Sequence, residues 1–155
     1  MRTIVEVSVI PSMYLHHLSD PEMRVIYYFW GGRYYRLQTR FVNGSCIALI
    51  PNRGCTLGDN RPLICRVWPF WWGSEADLSS ESFPIEIDGD CTMAVLWNMS
   101  PKEILREFGC SERDLRKDLL KLSKALKEHE NILKEAKDEN VPPKRLLDWI
   151  ISKAL

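Results

Sequence analysis

Apolar and polar residues alternate near the start of the chain, with Val5, Val7 and Val9 set against Glu6 and Ser8. That pattern predicts a half-buried strand ended by Pro11. A short helix is expected over Ser12 to Leu18. Asp20-Pro21-Glu22 then reads as a second helix start, with Asp20 as cap and Pro21 in the first turn, running through Met23 to Trp30 until Gly31 and Gly32 break it. Arg33 to Val42 is expected to be extended. From Asn43 to about Asn98, short apolar runs are separated by Gly, Pro, Asn, Asp and Ser, which predicts no long regular element.

Helical periodicity takes over at Ser100-Pro101-Lys102-Glu103, where a capping serine, a first-turn proline and a glutamate three residues after the cap coincide. Gly109 ends that helix and Ser111-Glu112 starts the next. Leu115, Leu119, Leu122, Leu126, His129, Leu133 and Ala136 then recur at steps of four and three, one apolar face of a long helix. Pro142-Pro143 breaks it, and Leu146, Leu147, Trp149, Ile150, Ile151 and Leu155 predict a last amphipathic helix folding back on it. The expected fold class is α+β: a small, irregular, cysteine-rich metal-binding domain with short strands over residues 1–99, and a C-terminal helical hairpin over 100–155 packed on it.

Composition narrows the function. A chain of 155 residues has the length of one domain with a real core. Its 21 Lys and Arg balance its 21 Asp and Glu, which argues against a nucleic-acid partner. The N-terminal stretch lacks the apolar run and cleavage site of a secretory signal, and no apolar segment is long enough to span a bilayer. The expectation is a cytoplasmic protein with no membrane partner.

Five cysteines, an odd number in a chain read as cytoplasmic, argue against a disulfide framework and for metal binding. Cys46, Cys55, Cys65 and Cys91 lie in the irregular middle, and four thiolates complete a coordination set for structural zinc or an iron-sulfur cluster. Gly44, Gly54 and Gly89 stand just before three of them, where tight turns can aim amides at sulfur. Arg66 beside Cys65, and Arg61 nearby, would offset the negative charge of bound thiolates. Trp68, with Phe70, Trp71 and Trp72, would wall the site from water, or simply belong to the core. A bound metal would supply folding free energy of ~10 kcal/mol or more to a stretch that hydrophobic burial alone orders poorly. Cys110 falls outside this set, and His129 on the long-helix seam reads as structural.

Cys46 with its following hydrophobic pair, Cys55 before a short turn, the run Arg61-Pro62-Leu63-Ile64-Cys65-Arg66-Val67-Trp68-Pro69-Phe70, and the later Cys91 together resemble the YkgJ-like cysteine-cluster family. That family is described as zinc- or iron-chelating and includes flagellin lysine N-methylases. The resemblance covers residues 43 to 95, without the family's upstream cysteine cluster, and with Thr92-Met93 after Cys91 in place of Pro-Gly. It implies a metal-binding protein that holds one zinc ion or iron-sulfur cluster, with a protein as a further partner. Two alternatives stay open. One is a protein-lysine methyltransferase-like enzyme, which rests on the family analogy alone. The other is a nucleic-acid or protein interaction module built on Arg24, Arg33, Arg36 and Arg40 interleaved with Tyr27, Tyr28, Trp30, Tyr34 and Tyr35.

Overall fold

The computed structural model describes residues 4–19, 24, 26–73, 76–80 and 82–154. It is a mixed α+β chain in two compact units, one formed by residues 1–58 and 125–155 and the other by 59–124. The sequence boundary at 99/100 falls inside the second unit. Among the described residues no helix is long and apolar enough to cross a membrane.

In the first unit, β1 (Val5–Val9), β2 (Tyr28–Trp30) and β3 (Arg33–Thr39) make an antiparallel sheet in the order β1-β3-β2, and a 3-10 helix covers Ser12–Ser19. Pairing sets Val7 opposite Leu37 and Tyr28 opposite Tyr35. Because side chains alternate along a strand, these residues share one face with Trp30. That face packs on Leu133 and Ala136 of the long helix α4 (Glu112–Asp138), on Val141, and on Leu146, Trp149 and Ile150 of α5 (Pro143–Ala154). The opposite face carries the Phe29 and Tyr34 rings, 4.8 Å apart between centroids, beside polar pairs: Gln38 donates to Glu6 at 2.9 Å, and Arg36 donates to Gln38 at 3.0 Å.

The expected helix over Met23 to Trp30 is corrected over its last turn, where Tyr28–Trp30 is a strand; Asp20 to Met23 lie outside the described residues. Gly31 and Gly32 do not end a helix. With φ of 54° and 77° they form a two-residue hairpin turn that sets Trp30 opposite Arg33. Positive φ at both turn residues matches the twist of the flanking strands, and glycine adopts it without steric cost.

The proline break after α4 is as expected, but the principal neighbour of α5 is β1. The last helix therefore closes the sheet face rather than simply returning along α4. Polar contacts fix its exposed side: the Trp149 indole donates to Glu139 at 2.8 Å and Lys153 donates to the same carboxylate at 3.1 Å. These two bonds hold the Glu139 carboxyl below its ordinary range. Near the C-terminal end of α4, Lys137 donates to the Phe29 carbonyl at 2.6 Å and lies 5.2 Å from the Trp30 ring centroid, a position favourable to a cation on both counts.

Tyr28 is 2% exposed, and its hydroxyl donates to the Val141 carbonyl at 2.6 Å, tying β2 to the link between α4 and α5. Burial pushes its phenol pKa up. Tyr28→Phe leaves that buried carbonyl without its partner and should cost ~1–3 kcal/mol in urea unfolding. An unchanged midpoint would show that the bond contributes nothing.

The second unit holds α1 (Leu63–Val67), a hairpin of β8 (Phe70–Trp72) with β9 (Ile85–Ile87), α2 (Thr92–Leu96), α3 (Pro101–Glu107) and the first half of α4. The Trp68–Pro69 peptide is cis. Val67, Phe70, Trp72, Phe83, Cys91, Ile104, Leu115, Leu119 and Leu122 are buried in it. The capping box forms as the sequence predicts, with the Glu103 amide donating to the Ser100 hydroxyl at 3.3 Å and the Ser100 amide donating to the Glu103 carboxylate at 2.7 Å. The latter bond lowers the Glu103 carboxyl pKa. Arg116 is anchored by bonds to Glu112 at 2.9 Å and to the Phe83 carbonyl at 2.6 Å, with its guanidinium 4.8 Å from the Phe83 ring centroid.

Candidate metal centre

Cys46 and Cys55 sit on two successive small hairpins of the first unit: β4 (Phe41–Val42) with β5 (Ser45–Cys46), then β6 (Leu49–Ile50) with β7 (Gly54–Cys55). The first turn is Asn43-Gly44, with φ of 50° and 78°, a pair suited to a two-residue hairpin. In the second, Asn52 and Gly54 have φ of 61° and 86°. Thr56 locks the second hairpin by donating its amide and hydroxyl to the Ala48 carbonyl at 2.7 and 2.9 Å. Cys46 is half-buried and Cys55 exposed. Around them Phe41, Val42, Ile47, Leu49 and Ile50 are each at least 42% exposed, a concentration of uncovered apolar surface on short strands and the turn between them.

Cys65 and Cys91 belong to the second unit. Cys65 is exposed on α1, its amide donating to the Pro62 carbonyl at 2.9 Å. Cys91 is 6% exposed at the N-terminal boundary of α2. The turn before it is held by the Asp90 amide donating to the Asp88 carboxylate at 2.9 Å and the Cys91 amide donating to the Asp88 carbonyl at 3.0 Å. Gly44 and Gly54 thus take the positive φ that tight turns require, whereas the turn before Cys91 is built on an aspartate side chain and Gly89 has no positive φ.

All five thiols lie outside disulfides. The donor set suits zinc or iron in its chemistry, being four thiols of the kind that ligate either as thiolates. The grouping is a separate matter: among the described residues, no three His, Cys, Asp or Glu side chains are clustered as metal donors. The flanking residues are engaged as follows. Arg66 forms a two-oxygen pair with Asp118, at 3.0 and 3.3 Å. Arg61 is exposed, and Trp68 is 52% exposed. Phe70 and Trp72 are core residues of the second unit, with Trp71 stacked on Trp72 at 4.3 Å between centroids.

The arginine–aromatic set does not form one exposed surface. Tyr28 is buried, Trp30 and Tyr35 pack on the core, and Arg36 bonds Gln38 on the other sheet face. Alternation along β3 divides the set.

His129, on the apolar seam of α4, is largely desolvated, which lowers its imidazole pKa, while a hydrogen bond to the backbone of Ile26 opposes that shift. The neutral ring is favoured in the folded state. The unfolded chain therefore takes up the proton first as pH falls below the ordinary value near 6.5, and stability that is complete above that pH declines toward the lower folded value. Urea midpoints measured between neutral and mildly acidic pH should fall more steeply for the parent protein than for His129→Gln; equal slopes would remove this role.

Comparison with known proteins finds no match to a protein-family model, to a curated protein or to a solved structure.

Proposed function

We propose that the chain is a metal-binding protein in which Cys46, Cys55, Cys65 and Cys91 hold one zinc ion or one iron-sulfur cluster, as the YkgJ-like motif implies. The observation that carries this reading is the donor set itself: four thiols outside disulfides, within a stretch of two- and three-residue strands and short helices that has little regular structure of its own. The unfolded chain holds no preformed site, so the free energy of coordination would become folding free energy. Zinc in four thiolates has no open position and would act as a structural clamp, whereas an iron-sulfur cluster would carry electrons.

Elemental analysis and an ultraviolet-visible spectrum of protein purified without oxygen test the proposal directly. Iron with the visible absorption of iron-sulfide bonds would establish a cluster. Stoichiometric zinc without a visible band would establish the clamp. Metal-free protein that also fails to take up zinc, or iron with sulfide, would overturn the reading.

A further inference from the structure

Residues 59–124 also carry a cavity that is separate from the cysteines. The β8–β9 hairpin, α3 and the first turns of α4 line a half-open pocket of about 330 Å³, walled by Phe70, Ile85, Pro101, Leu105 and Leu115. This is within the size range of small-ligand pockets, and the apolar walls favour replacing water with an apolar body.

The polar groups lining the cavity differ in how far they are already committed. Ser100 is occupied by the capping box, and the guanidinium of Arg116 is held by Glu112 and the Phe83 carbonyl. Glu112 in turn has its charge matched by Arg116 at 2.9 Å. Lys102 is exposed, lines the same cavity and has no ion pair among the described residues. The lining therefore carries one uncompensated positive charge beside an apolar chamber. We propose that this cavity binds a small organic carboxylate whose apolar body lies against Phe70, Leu105 and Leu115 and whose carboxylate pairs with the Lys102 ammonium. A charge-assisted hydrogen bond of that kind selects anions over neutral or cationic molecules of the same shape.

Three probes of matched shape separate charge from apolar burial: 3-phenylpropanoate, 3-phenylpropanol and 3-phenylpropylamine. Each is titrated into the intact chain while the methyl resonances of Leu105, Leu115 and Ile85 are followed by NMR. The carboxylate should saturate those methyl shifts with an affinity about tenfold or more above that of the amine, and Lys102→Ala should erase the preference while leaving the spectrum otherwise folded. Leu105→Trp, which fills the chamber, should abolish binding of all three. Absence of shifts at these methyls up to millimolar carboxylate, or equal affinity for amine and carboxylate, would overturn the proposal. Because Lys102 is exposed, its variant keeps the test decisive even if Leu105→Trp does not fold. None of these readouts depends on the presence of a metal.

Discussion

Leu146→Ala is expected to destabilise the first unit by about 2–5 kcal/mol, a large fraction of the roughly 5–15 kcal/mol that holds a typical domain together. Leu146 is fully buried in a cluster with Tyr28, Leu133, Ala136 and Val141, and residues from β1, β2 and β3 pack against that cluster. Truncation removes three side-chain carbons from this contact and leaves a cavity that helix, sheet and connecting loop cannot all relax to fill. The 12-residue α5 has little reason to stay helical without this packing, since isolated helices of that length are marginal in water. Urea unfolding followed by circular dichroism measures the loss, with the exposed Lys144→Ala as a reference expected to stay within about 0.5 kcal/mol of the parent. If the two variants unfold alike, α5 is not packed as described.

Cys65→Ser should reduce bound metal from one equivalent or one cluster to near none, and with it remove most of the metal-linked stability, on the order of 10 kcal/mol for structural zinc. Loss of one thiolate leaves an open, weakly bound site in place of a closed one. Because Cys65 is exposed, the same substitution should change metal-free protein by no more than about 0.5 kcal/mol, which separates loss of coordination from damage to the fold. Cys110→Ser provides the control: that thiol is exposed, lies outside the Arg61–Phe70 motif, and should be dispensable for metal content. Full metal retention by Cys65→Ser would overturn the four-thiolate assignment, and equal loss in Cys110→Ser would move the site elsewhere.

Helix boundaries were the most legible feature of the chain. Ser100, Gly109, Ser111 and Pro142-Pro143 act through the backbone of their own neighbourhood, and the structure places helices Pro101–Glu107, Glu112–Asp138 and Pro143–Ala154 accordingly. The missed strand at Tyr28–Trp30 had a local signal too. Aromatic residues followed by Gly31-Gly32 mark a hairpin, and the same reading applied to Asn43-Gly44 identifies the β4–β5 hairpin that carries Cys46. In the candidate site, residue type and turn chemistry could be read from the sequence, but the engagement of Arg66 by Asp118, 52 residues away, could not.

The sequence by itself determined the periods: alternation in β1, the steps of four and three along α4, the caps and breaks, and the four thiols in an irregular middle. These depend on rotation per residue and on hydrogen bonds within a few positions. Tertiary structure alone decided what each face meets. A single apolar seam on α4 supplies Leu115, Leu119 and Leu122 to one compact unit and Leu133 and Ala136 to another, and α5 finds β1 as its principal neighbour. Hydrophobic burial is non-directional, so a pattern states that a face must be covered without naming its cover; that choice is made by shape and by bonds such as Tyr28 to Val141 that join distant parts of the chain.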